Sequence, residues 1–138
     1  MSVHEADRKP QMMEVQNTAM ALAQYTFREA GKDSVISKRN RWSLGERLLD
    51  AACDLVVHIE QANALRLDIP EEAAVRRVEQ DMAMAAIFRI KTLVHIAREI
   101  SGFPAKKHIY WTRLAESARV LVSGWKESDR NRKRRMER

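Results

Sequence analysis

The sequence predicts an all-α fold, an antiparallel up-down four-helix bundle, and three observations lead there. Hydrophobic residues fill 45% of the 138 positions but aromatics only 6%, which disfavours the aromatic-rich strands of a sandwich or barrel. Glycine and proline number only 4 and 3, few turn makers for a chain of many short strands. Apolar residues instead recur at spacings of three and four in four segments with short interruptions. The length suits one domain with one core.

The first helix is expected from about Gln11 to Ala30, with Met12, Val15, Ala19, Leu22, Ala23 and Phe27 on one stripe. Gly31 follows where a left-handed cap belongs. The connection from Lys32 to Trp42 is polar and basic, with Lys38, Arg39 and Arg41 in quick succession. Ser43-Leu44-Gly45-Glu46 has the spacing of a capping box that opens the second helix. Trp42, just before it, is placed to staple back onto that helix. Leu44, Leu48, Ala51, Ala52, Leu55, Val56, Ile59 and Ala62 carry its stripe toward Leu67. Asp68-Ile69-Pro70 then interrupts, since proline is tolerated in a first turn but not in mid-helix.

Asp68 or a neighbour is expected to cap the third helix, which runs to about Ile100. Its stripe is Val75, Val78, Met82, Ala85, Ala86, Leu93, Ile96 and Ile100. Ser101-Gly102-Phe103-Pro104 stops it. The fourth helix begins near Ala105, with Ile109, Trp111, Leu114, Ala118, Leu121, Val122 and Trp125 on its apolar side. The short connections favour antiparallel neighbours. The bundle is expected over 11–128, followed by a basic, flexible tail over 129–138.

The charge balance narrows the partners. Lys and Arg total 25 against 19 Asp and Glu, a formal net charge of +6, which suits an anionic partner such as nucleic acid. The basic residues concentrate at the end, where Lys126, Arg130, Arg132, Lys133, Arg134, Arg135 and Arg138 face only Glu127, Asp129 and Glu137. Cys53 is the one cysteine; it falls in an apolar helical pattern and reads as a packed thiol in a reducing cytoplasm. The N-terminal stretch has no apolar run after its charges and no long apolar segment follows, so neither secretion nor a membrane partner is expected.

Nothing in the sequence assembles a catalytic constellation. His4, His58, His95 and His108 never fall one helical turn apart. No phosphate loop, nucleophile elbow or Cys-x-x-Cys pair is present. Cys53 and His58 point about 140° apart on one helix. The expectation is a protein without catalytic residues, metal or cofactor. Asp50, Asp54 and Asp81 read as a solvated face, with arginines as their alternative partners.

Basic residues carry the stronger signal. Arg77, Met84, Lys91 and Arg98 recur every seven positions with His95 beside the last two, a cationic strip able to track phosphates or simply an ordinary polar face. Arg89 falls within the apolar stripe of the third helix, where an unpaired guanidinium is costly. It either pairs with a carboxylate of a neighbouring helix or subunit or lines a wet channel. Trp42, Trp111 and Trp125 could stack bases, but helical spacing makes Trp111 and Trp125 better core or interface anchors.

Two strings carry a resemblance. Arg41-Trp42-Ser43-Leu44-Gly45-Glu46-Arg47 resembles the Arg-x-x-Leu-Gly-x-Arg opening of the second helix in a family of four-helix bundles. That family joins the accessory variability proteins of diversity-generating retroelements to the 23S rRNA intervening-sequence proteins. Gly124-Trp125-Lys126-Glu127-Ser128 is similar to its Gly-Trp-x-x-Ser ending on helix four, and Asn63 matches a further position late in helix two. Ser123 stands where glycine is frequent, and the Arg-rich tail is longer. The resemblance implies a homopentameric barrel that binds RNA or cDNA and a reverse transcriptase without being an enzyme. It also implies packing roles for Leu44, Gly45, Gly124 and Trp125. The expected nucleic-acid contacts are Arg41, Arg47, Arg77, Arg89, Lys91, Arg98, Arg132, Lys133, Arg134 and Arg135. The intervening-sequence branch offers the alternative of a structural scaffold.

Overall fold

The computed structural model describes residues 12–137, which form a four-helix bundle with no strand among them. The helices are α1 (Met12–Ala30), α2 (Glu46–Asn63), α3 (Pro70–Ser101) and α4 (Ala105–Met136). The first turn expected at Gln11 lies outside the described residues. With 32 residues each, α3 and α4 reach about 48 Å at 1.5 Å per residue. Helix α2 packs on α1 and α3, and α4 packs on α3 and α1.

Helices α1 and α2 bury the stripes their sequences predict. Val15, Ala19, Leu22 and Ala23 of α1 meet Leu48, Ala51, Ala52, Leu55, Ile59 and Ala62 of α2 in one core, although Phe27 stays 47% exposed. Cross-helix side-chain contacts tie the helices to one another. Gln16 reaches Glu60, Trp111 reaches Thr26 and Lys107 reaches Glu29. His58 meets Glu79 while Asp54 meets Arg89.

The connection from α1 to α2 departs from expectation. Gly31 has no positive φ; among the described residues only Gly102 does, at 69°, where it caps α3. Ser43 and Glu46 form no capping box. A 3₁₀ turn at Lys38–Asn40 and a π-helical turn at Arg41–Gly45 wind the chain before α2 begins, so Ser43 already lies within a turn and donates to the Asn40 carbonyl oxygen. Trp42 is no staple either, being 78% exposed.

Helix α2 ends at Asn63, short of Leu67. Asp68 does not cap α3; the N-cap position is Ile69, with Pro70 in the first turn, and Asp68 binds Arg66 instead. Cys53 is exposed and not a packed thiol.

The largest correction concerns the face of α3. Its buried residues are Ala73, Arg76, Gln80, Ala83, Ala86, Ile87, Ile90, Val94 and Ala97. That face lies roughly 120° round the helix from the expected stripe at 100° per residue. Val75, Val78, Met82, Ile96 and Ile100 therefore stand exposed. Helix α3 carries two apolar stripes, and α2 and α4 take the one richer in small residues because alanine lets helix backbones approach closely.

Helix α4 buries Trp111, Ala115, Ala118, Val122 and Trp125, while Ile109 is exposed. It continues through the expected boundary at 128 to Met136, so residues 129–136 of the segment expected as a flexible tail are helical. No glycine or proline interrupts it after Gly124. The basic residues of its last turn complement the negative end of the helix dipole.

Candidate nucleic-acid interface

Two buried polar clusters fix the helices that present the basic residues. Asp129 of α4 accepts from Arg76 Nε at 2.6 Å, from Arg76 Nη2 at 3.0 Å and from Gln80 Nε2 at 2.8 Å. Arg76 also donates to the Leu65 carbonyl at 2.9 Å and lies over the Trp125 ring, 5.2 Å from its centroid. Arg76 and Asp129 are only 8% and 6% exposed, so the pair works at low dielectric and every strong donor has a partner. This cluster locks the basic end of α4 to the start of α3. The lone acidic residue between Trp125 and the arginines that turns inward was readable only as Asp129 falling four positions after Trp125, on the same face.

At the other end, Glu29 accepts from Lys107 at 2.8 Å and Lys32 at 2.9 Å. Burial pushes its carboxyl up, but those two ammonium groups outweigh burial and hold it below the ordinary carboxylate value. Beside it, Trp111 Nε1 donates to the Thr26 hydroxyl, which donates to the Leu22 carbonyl. Trp111 and Trp125 are thus the core anchors their spacing predicts.

The seven-residue strip on α3 is present but largely neutralised. Arg77 lies 3.6 Å from Asp81, and Lys91 lies 3.4 Å from Glu116. Arg98 spends its Nε on the Phe103 carbonyl at 3.2 Å. Arg119 and, after it, Lys91 hold the Glu116 carboxyl down at about 2, so its charge persists across the physiological range. His95 and His108 stand with ring centroids 6.4 Å apart near Arg98. Burial, Arg98 and His95 push His108 below its ordinary value.

The other expected contacts fall in separate places. Arg41 donates to Asp33 at 2.7 Å and to the Gly31 carbonyl, and its buried Nε has no partner among the described residues. Arg89 pairs with Asp54 at 3.0 Å and shares with Arg47, Asp50, Phe88, Thr92 and Leu93 a shallow groove between α2 and α3. Arg132 lies 3.8 Å from Asp129. Lys133, Arg134 and Arg135 are exposed and make no ion pair among the described residues. A second groove is lined by Leu67, Ala73, Arg77, Gln80, Arg130 and Lys133. It also includes Asp129, brings Arg77 to the basic end of α4 and adds Arg130, which is absent from the expected contacts and pairs with Glu127 at 3.2 Å.

Of the family-motif positions, Leu44, Gly45 and Trp125 are buried and Gly124 is half-buried. A Cβ on Gly45 would meet only ordinary van der Waals neighbours, Arg41 Cγ at 3.7 Å and Ile36 Cγ2 at 3.8 Å.

Among the described residues no group of three or more His, Cys, Asp and Glu gathers as a metal site, and no helix is long and apolar enough to cross a membrane. No protein-family model, curated protein or solved structure matches the chain.

Proposed function

We propose that the chain is a non-enzymatic nucleic-acid-binding accessory protein of a diversity-generating retroelement, acting in the cytoplasm with a reverse transcriptase. The observation that carries the nucleic-acid half is the exposed basic end of α4, where Lys133, Arg134 and Arg135 make no ion pair among the described residues. Cations held on a helix, without a carboxylate partner among the described residues, are what phosphate contact needs. The reverse-transcriptase half rests on the resemblance carried by Arg41–Arg47 and Gly124–Ser128.

In this reading the helices run up and down as antiparallel neighbours, a topology supported by the opposed residue order of the cross-helix contacts. The chain assembles into a homopentameric barrel. The exposed apolar residues Val75, Val78 and Met82, and beyond Arg89 Ile96 and Ile100, support self-association, because exposed apolar patches mark interaction sites.

Binding of RNA and single-stranded DNA across a salt series tests the phosphate contacts. About five neutralised phosphates give a slope of log affinity on log salt near −4 to −5. Replacing Lys133, Arg134 and Arg135 together by alanine flattens that slope by about 2 to 3. The same change at Arg77, Lys91 and Arg98 has a smaller effect, since those groups already have partners. A flat dependence in the unsubstituted protein refutes phosphate contact. Retention of the reverse transcriptase from the same source, with and without RNase, tests the second half. No retention by a folded, oligomeric bait favours the scaffold of the intervening-sequence type.

A further inference from the structure

The connection between α1 and α2 exposes the one tryptophan that the core does not use. Trp42 is 78% exposed, whereas Trp111 and Trp125 are 0% and 6% exposed. An indole is among the largest apolar surfaces a side chain can leave in water, and such residues are characteristically buried or engaged at interfaces. Trp42 does not sit on a slack loop. Val35, Ile36 and Leu44 anchor the connection in the core on both sides of it. The Val35 and Ile36 amides donate to the Lys32 carbonyl and the Asn40 amide to the Ser37 carbonyl. Arg41 is tied to Asp33 and to the Gly31 carbonyl. The π-helical turn Arg41–Gly45 carries the indole, and such turns are less stable than α-helix and concentrate at functional positions.

The charges within five positions of this indole along the chain are lopsided. Lys38, Arg39 and Arg47 are exposed and make no ion pair among the described residues. Glu46 is the carboxylate one turn from Trp42, and Asp33 is occupied by Arg41. A flat apolar face amid unpaired cations complements a ligand that is flat and anionic, which is a nucleotide whose base is free to leave its neighbours. Duplex bases are already stacked on both faces and do not offer one.

Resting on the nucleic-acid reading above, we propose that Trp42 is a stacking platform for one unpaired base. The α1–α2 connection then forms a single-strand subsite whose flanking phosphates meet Lys38, Arg39 and Arg47. The subsite selects single-stranded over duplex nucleic acid without reading sequence.

The full chain reports on this directly, because Trp42 is the exposed fluorophore. It is titrated with a thymidylate oligonucleotide of about 16 residues, with a duplex of equal phosphate number and with heparin. Both tryptophan emission and affinity are read, for the unsubstituted chain, W42A and W42F. The oligonucleotide quenches the emission saturably, while heparin and duplex do not. W42A weakens oligonucleotide binding about 10-fold or more and leaves heparin binding unchanged, and W42F retains most of the affinity. Sedimentation shows the same mass for W42A as for the unsubstituted chain. Equal oligonucleotide affinity in W42A, equal quenching by heparin, or a change of oligomeric mass in W42A overturns the subsite; the last outcome places Trp42 against another copy of the chain. Failure of the unsubstituted chain to bind any of the nucleic acids overturns the broader reading, whereas binding that ignores Trp42 overturns the subsite alone.

Discussion

Asp129→Ala removes the carboxylate on which the junction of α3 and α4 is built. Three hydrogen bonds go at once, two from Arg76 and one from Gln80. Arg76 keeps only the Leu65 carbonyl and the face of Trp125, which leaves a nearly buried guanidinium without a counter-charge. Breaking one side of a buried pair costs about 3–5 kcal/mol. Both side chains are at most 10% exposed, so solvent screening reduces the figure little. For a domain of this size each kcal/mol lowers Tm by about 4 °C, giving a fall of roughly 12–20 °C. Urea unfolding followed by far-ultraviolet circular dichroism measures the free-energy loss, and a thermal melt measures the fall in Tm. Converting both partners to apolar residues, Arg76→Met with Asp129→Leu, recovers most of the loss, because the desolvation of the ions is then relieved on both sides. A cost below about 1 kcal/mol for Asp129→Ala, or an equal cost whether or not Arg76 is present, refutes the reasoning.

Glu29 gives a pH signature. Its carboxyl is held below the ordinary value in the folded chain, so its contribution is complete above the unfolded glutamate pKa of about 4.3 and is lost as pH falls through the folded value. Glu29→Gln therefore flattens the acid limb of a stability–pH curve, and an unchanged limb contradicts the assignment. On the outer stripe of α3, Met82→Glu leaves the monomer folded, since Met82 is 45% exposed, but lowers the oligomeric mass measured by sedimentation. An unchanged mass removes this stripe from the interface. The glycines separate by backbone: Gly102→Ala costs about 1 kcal/mol or more because φ is 69°, whereas Gly45→Ala, in ordinary helical geometry with room for a methyl, is neutral or stabilising by up to about 1 kcal/mol. Paired thermal melts of the two variants give the sign of each.

Where one stripe dominates a helix, as in α1 and α2, spacing alone identified the buried face. Leu48, Leu55 and Ile59 are buried as expected. Helix α3 defeats that logic because large apolar residues lie on both faces, with Val78, Met82 and Ile96 outward and Ile87 and Ile90 inward, and hydropathy does not distinguish a stripe meant for the bundle from one left for something else. The inward face holds Arg76 and Gln80, whose polarity conceals their burial until Asp129 is seen opposite them. The basic end of α4 was legible as charge but not as helix, since blocks of like charge repel and read as tails. Trp42 is not the staple its spacing suggested, because that role depended on a capping box that the π-helical turn replaces.

The continuity of α4 through Met136 changes what kind of cationic device this end of the molecule is. A loose basic tail samples many arrangements and must give up that freedom when it closes on a polyanion. A helix does not, because the offsets among Arg130, Lys133 and Arg134 are set in advance by a pitch of about 5.4 Å per turn. These side chains act as the teeth of a comb, and the lock between Arg76 and Asp129 fixes the direction in which the comb points. If a strand lies along it, as the proposed function requires, it meets charges at preset offsets, and contour length and curvature of the polyanion, rather than total charge alone, then decide how well it is held.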